Sequence, residues 1–212
     1  MLATHSLRIS STNANSLLSK MSDIFIEAAE FQPDILTVTE TKLHQGIQDA
    51  EAYLPSYSLL RQDRPDNQRG GGVVIYTKEH LDIQPLNFTF PQSQNFDVLG
   101  CKLLTASGPV KLIVVYRRPS SVSADDDALL ETLEAAGRLP GDLILLGDFN
   151  APAIDWKNWT CSATQSFAGK LLDFATNLAL CQAVIRPTRV VRRQKPSVLD
   201  LIFHKYPNAV TS

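Results

Sequence analysis

The sequence predicts a mixed α/β fold in which one sheet packs on another and helices lie outside. Three observations carry this. The chain opens as strand, helix, strand; strands then outnumber helices with no internal repeat; and no linker long enough to divide the 212 residues is visible. One domain spanning residues 1–212 is therefore expected. With 44% hydrophobic and 20% charged residues, the chain has the material for a packed core.

The elements follow in order. "LRISS" (Leu7–Ser11) reads as a short strand. "SLLSKMSDIFIEAAE" places Leu17, Leu18, Met21, Ile24, Phe25, Ala28 and Ala29 on one helical face. Pro33 breaks that helix, and "DILTVTE" reads as a buried strand ending at Glu40. Further strand-like runs lie at Val73–Thr77, Asp97–Leu103, Val110–Tyr116, Leu143–Leu146 and Val198–Phe203. A helix is expected from about Ala124 to Ala136, with Ser123 as N-cap and acids in its first turn. Another is expected from about Ser166 to Leu180, where Phe167, Leu171, Phe174, Ala175 and Leu178 form an apolar stripe.

Composition excludes some functions. No apolar run reaches the roughly 18 residues that mark a membrane-spanning helix. The first residues, "MLATHSLRISSTNANS", lack the apolar stretch of a signal peptide. Cys101, Cys161 and Cys181 are far apart and lack zinc spacing, so they read as reduced thiols in an intracellular protein. A net charge of −2 gives no global attraction for nucleic acid, but a local basic patch still creates its own field. The oligomeric state is not readable.

Chemistry enters where apolar strands end. In "LILLGDFNAPAIDW" four apolar residues run into Gly147, Asp148, Phe149 and Asn150. Strand side chains alternate, so Asp148 and Asn150 share one side if the strand persists, while Phe149 packs on the other. A carboxylate that orients a water or touches a metal, beside an amide that donates to a phosphate oxygen, suits phosphate hydrolysis. Taken alone, the same residues read first as a turn, because Asp and Asn end strands through local side-chain bonds. Glu40, Tyr116 and Asn13 repeat the pattern after three other strands. Singly they read as a solvated cap, a core-edge tyrosine and a helix cap. Together they mark one end of a layered α/β fold, where ligands gather.

Six stretches occur in a telling order: "TNANSLLSK", "LTVTETKL", "RQDRPDNQRGGGVVIY", "VVYRRP", "GDFN" and "PSVLDLIF". They resemble the endonuclease/exonuclease/phosphatase superfamily, and within it the apurinic/apyrimidinic-like endonuclease domain of non-LTR retrotransposons. The resemblance implies a four-layered α/β sandwich, two mostly antiparallel sheets face to face with outer helices. It also implies a divalent metal, Mg²⁺ or Mn²⁺, held by Glu40 with support from Asn13. Tyr116 and Asn150 would contact the scissile phosphate, Asp148 would orient the attacking water, and Asp200 would fix a catalytic histidine. The implied partner is duplex DNA, which in turn implies a nuclear setting. Such chemistry fits Mg²⁺, which keeps several waters and accepts phosphate oxygens.

The chain departs from the family pattern at its end. The superfamily closes on a Ser-Asp-His motif in a last strand, whereas this chain stops at "FHKYPNAVTS" without one. His204 lies four residues beyond Asp200. On one strand that is about 13 Å, too far for the two side chains to pair. His5, His44 and His80 read as tail or loop residues. The expectation is a C-terminally incomplete domain lacking the last strand, with weakened metal and DNA binding and slow nicking at most. Basic residues supply the DNA reading. Arg61, Arg64 and Arg69 lead into three glycines, Arg117 follows Tyr116, and Arg192 and Arg193 sit in a cluster before Asp200. They read either as solvated loop charges or as contacts to a phosphate backbone. Two other functions compete: a phosphoesterase acting on a lipid or inositol phosphate, and a non-catalytic DNA-binding remnant.

Overall fold

A computed structural model describes residues 6–64, 70–191 and 196–206. The first sheet contains β1 (Ile9–Asn13), β2 (Ile35–Thr39), β3 (Tyr57–Gln62) and β4 (Val73–Lys78), in the spatial order β1-β2-β4-β3. The β1–β2 pair is parallel and the others antiparallel. The second sheet contains β5 (Ile83–Pro85), β6 (Phe96–Thr105), β7 (Gly108–Arg117), β8 (Asp142–Asp148), β11 (Cys181–Gln182) and β12 (Asp200–His204). Its order is β11-β12-β8-β7-β6-β5, with only β7–β8 parallel. A small ribbon, β9 (Ile154–Asp155) with β10 (Thr160–Cys161), stands apart.

Alternation along these strands makes four layers. Ile35, Val73 and Ile75 face inward and meet Leu112, Val114 and Leu146 of the second sheet in the central core. Their neighbours Leu36, Val38, Val74 and Tyr76 face outward and pack with Leu17 and Ile24 beneath α1 (Met21–Phe31). On the far side, Ile113, Val115, Leu145 and Phe203 pack against α2 (Ser123–Gly137) and α3 (Phe167–Asn177). The predicted sandwich of two mostly antiparallel sheets with outer helices is what the chain forms.

The details correct several expectations. The first helical stripe is narrower than its periodicity indicates: Leu18 and Phe25 are 37% and 42% exposed. The packed face is Leu17, Met21, Ile24 and Ala28 at helical spacing, and Leu18, Phe25 and Ala29 fall on its solvent-facing edge. Ser123 is the first residue of α2 rather than its cap, and Val122 precedes it with no side-chain cap bond. Ser166 does cap α3, accepting from the Gly169 amide. β2 stops at Thr39 because Glu40 turns to a left-handed φ of 51°. Asn150, with φ 48°, likewise leaves the strand path.

Candidate active site

The inward faces of both sheets end at the same place. Register sets this. Asp148, the last residue of β8, lies opposite Tyr116 of β7 on one side and Asp200 of β12 on the other. Three neighbouring strands therefore deliver a tyrosine and two carboxylates side by side. From the first sheet, Asn13 ends β1 opposite Thr39, and Glu40 follows immediately. One amide joins the halves: Asn13 Nδ2 donates to Glu40 Oε1 at 3.0 Å and to Asp148 Oδ2 at 2.9 Å.

Backbone geometry holds these groups. Gly147 has φ 132°, and a Cβ there would lie 2.0 Å from the Val115 carbonyl oxygen. Only glycine lets β8 press this closely on β7 and turn Asp148 inward. Phe149 then packs into the outer core, fully buried. The Asn150 amide donates back to Asp148 Oδ1 at 3.1 Å, and Asn150 Nδ2 donates to the Arg117 carbonyl at 2.7 Å. Asp148 is thus held on both oxygens by neutral donors. Glu40 is pinned by its neighbours: the Ser16 amide donates to its carbonyl at 2.9 Å, and Lys42 N–H donates to the Gly71 carbonyl at 2.8 Å. Non-glycine residues with positive φ gather here, at Asn15, Ser16, Glu40, Lys42 and Asn150. Such strain persists only where surrounding structure over-determines it, and it clusters at functional sites.

Charge is unbalanced. Burial pushes the Asp148 carboxyl up to about 7, with the neighbouring Asp200 and Glu40 charges adding to the rise against the Asn13 and Asn150 hydrogen bonds. Burial also raises Asp200, opposed by its bond with Thr188. The Tyr116 hydroxyl is driven far up by burial and by Glu40, so it stays protonated and able to donate. Among the described residues no lysine, arginine or histidine forms an ion pair with Glu40, Asp148 or Asp200. Nor do three or more His, Cys, Asp or Glu side chains converge as a ready cation cage. The donor set instead suits a divalent ion that takes one or two carboxylates and keeps several waters.

Residues 10–210 match the endonuclease/exonuclease/phosphatase family. The chain belongs to this family. It is 26% identical over 207 residues to a probable RNA-directed DNA polymerase from transposon BS of Drosophila melanogaster. That match takes in 95% of this chain and 22% of the relative, so the chain spans about a fifth of that relative's length. The endonuclease domain of TRAS1, a telomere-specific non-LTR retrotransposon, superposes with a TM-score of 0.70 at 18% identity, covering 93% of this chain and 83% of that one. A 3′ phosphatase from Neisseria, bound to a product DNA hairpin, gives 0.68 at 20% identity, covering 96% and 88%. These two likenesses concern the fold.

The family fold places Asn13, Glu40, Tyr116, Asp148, Asn150 and Asp200 together. The arginines fare differently, and here the structure corrects the sequence. Arg61 pairs with Asp49 and Asp63 and donates to the His44 and Ile47 carbonyls. Arg64, only 2% exposed, pairs with Asp97. Arg117 is buried in a fork on Asp126, at 2.7 and 2.9 Å, with its guanidinium 3.9 Å from the Phe167 ring centre. Each of the three is already committed to carboxylates: Arg61 to Asp49 and Asp63, Arg64 to Asp97 across the sheets, and Arg117 to Asp126 at the start of α2. Arg69, Arg192 and Arg193 lie outside the described residues. His204 is buried at the other end of β12 from Asp200, opposite Ile144.

Two further residues shape the site without being marked by the strand-end pattern. Thr188 Oγ1 accepts from the Leu199 and Asp200 amides, both at 3.1 Å, and so fixes the start of β12. Nothing in an arginine-rich loop twelve residues upstream marks it. Asp97 was legible: it falls on the inward face of β6 with Leu99, Cys101 and Leu103, where a carboxylate needs a counter-charge.

Proposed function

We propose that this chain is a divalent-metal-dependent phosphodiesterase that nicks duplex DNA, in the manner of a retrotransposon endonuclease. One observation carries the reading: a single amide, Asn13, bridges Glu40 and Asp148 at a point where β7, β8 and β12 align Tyr116, Asp148 and Asp200. Glu40, with Asn13 beside it, would hold Mg²⁺ or Mn²⁺, and the bound ion would neutralise charge on a phosphate oxygen.

The protein's own groups do the rest. Asp148, fixed through Asn13 and Asn150, keeps a lone pair for the proton of an incoming water. Burial raises its proton affinity, which suits a base that takes up that proton. The protonated Tyr116 hydroxyl and the second amide hydrogen of Asn150 donate to phosphate oxygens as charge builds there. Asp200 lies beside Asp148, and with its proton affinity raised by burial its protonated form would give a proton to the leaving oxygen while Asp148 takes one from the water. A chromosomal duplex as substrate implies action in the nucleus. The 1–212 span is read as one such domain.

The test is plasmid nicking by purified protein with Mg²⁺ or Mn²⁺. Asp148→Ala is expected to reduce nicking by about 10²-fold or more. Glu40→Ala is expected to weaken Mn²⁺ binding about 10-fold or more, as loss of a ligand does. Nicking that survives Asp148→Ala would sink the reading.

A further inference from the structure

Arg64 and Asp97 form a buried ion pair between the sheets that the reaction does not touch. Arg64 follows β3 in the first sheet and Asp97 lies near the start of β6 in the second. Arg64 Nε donates to both Asp97 oxygens, at 3.2 and 3.0 Å, and Nη2 to Oδ2 at 2.9 Å. The two side chains are 2% and 5% exposed. Two features of the site hang on this pair. Asp97 Oδ2 accepts the Gly72 amide at 2.9 Å, and Gly71, with φ 77°, lies so close that a Cβ would sit 2.2 Å from Arg64 Nε. Gly71 and Gly72 in turn accept the Lys42 and Thr41 amides at 2.8 and 3.3 Å, which fixes the loop just after Glu40. On its other side the Arg64 guanidinium lies 5.6 Å from the centre of the Tyr116 ring.

We propose that Arg64 is a positioning residue: with Asp97 it clasps the two sheets together and sets both the Glu40 loop and the Tyr116 ring. Stability alone accounts poorly for the pair. Among the described residues Arg64 Nη1 is buried without a hydrogen-bond partner, and a buried ion pair with an unmet donor is a weak stabiliser compared with an apolar substitute. What it gives instead is a fixed planar fork that meets a carboxylate, a glycine turn and an aromatic face together, which a lysine does not reproduce. The catalytic side of this inference rests on the nuclease reading above; the clasp itself does not.

The test uses the full chain with Arg64→Lys, and Asp97→Asn read in the same way should the lysine variant not fold. Amide hydrogen exchange is expected to quicken about 10-fold or more at Thr41, Lys42 and Gly72, beyond any change shared by Val114 and Leu145 of the central sheet. In Mg²⁺-dependent nicking, kcat is expected to fall about 10-fold or more with KM for DNA within about twofold of wild type, as for a residue that touches no substrate. Unchanged exchange at those three amides would overturn the clasp. A loss residing in KM, with a shallower salt dependence, would overturn the positioning role by making Arg64 a DNA contact. If wild-type protein does not nick at all, the nuclease reading fails, while the exchange measurement still decides the clasp.

Discussion

Asp148 is held by two neutral donors and faced by two other acids, and its protonation therefore reports on the site. In metal-free protein its carboxyl rises from the ordinary 3.8 to about 7, through burial first and the Asp200 charge second. The sign of the stability effect follows. Below pH 3.8 the folded and unfolded chains both hold the proton, and Asp148 brings no penalty. Between 3.8 and about 7 only the folded chain keeps it, so stability falls as pH rises; above about 7 the full penalty applies. With a chelator present, the urea midpoint is expected to be higher near about pH 5 than near about pH 8, and Asp148→Asn is expected to flatten that difference. Parallel pH profiles for wild type and variant would show that Asp148 titrates normally. Added Mg²⁺ should pull the wild-type profile toward the variant's, because a nearby cation favours the carboxylate. At this scale much was legible. Glu40, Tyr116, Asp148 and Asn150 lie at or just past the ends of apolar strands and Asn13 ends β1, while Asp200, which opens β12, was marked only by the family resemblance. The partners of Arg61, Arg64 and Arg117 were not legible, since Asp49, Asp97 and Asp126 are chosen by packing across elements.

Elements bring their own demands, and α2 shows one. Its C-terminal carbonyls would be buried without partners, but Lys111 from the adjacent β7 reaches them. The Lys111 side chain is 1% exposed, and its Nζ donates to Ala136 O at 3.2 Å, Gly137 O at 3.0 Å and also to Leu139 O. A cation at a helix C-terminus meets the negative end of the dipole while satisfying orphan carbonyls. Lys111→Met keeps the stem but removes the donors. It is expected to destabilise the protein by about 1–3 kcal/mol, seen as a lower urea midpoint at unchanged slope. An unaltered midpoint would mean that the carbonyls find other partners. Sequence periodicity located α2 within a residue at each end, yet it gave Lys111 no special standing in "VKLIVVYRR". Nor did it find β3, where one buried residue is followed by mixed exposure, or the two-residue β9, β10 and β11. Periodicity needs several residues with one consistent face, and these strands have none. Long, doubly buried strands such as β2 and β7 announce themselves as apolar runs because both of their faces meet a layer.

Across the whole molecule, the question is which charges would meet a polyanion. The net charge is −2, so attraction must be local. Arg61, Arg64 and Arg117 are already paired with carboxylates of the chain, and a guanidinium so neutralised adds little to counterion release from DNA. The exposed cations beside the site are different. Lys42 follows the Glu40 loop, with Nζ 2.6 Å from Asn15 Oδ1. Arg189 is exposed and borders a groove of about 420 Å³ that also reaches Asn150 and Leu199. Lys42 follows a strand of the first sheet and Arg189 precedes one of the second, and under the proposed nuclease function a duplex backbone laid across Asp148 would pass between them. Duplex affinity is expected to weaken with salt, and neutralising Lys42 or Arg189 should each lower the slope of log K against log salt by about 1. Neutralising Arg61 should leave that slope unchanged, because its loss disturbs the fold rather than a phosphate contact. Fluorescence anisotropy with a labelled duplex over a salt series measures both. A slope that drops equally for Arg61, Lys42 and Arg189 would mean that the internal ion pairs open on DNA and that the arginine loops bind after all.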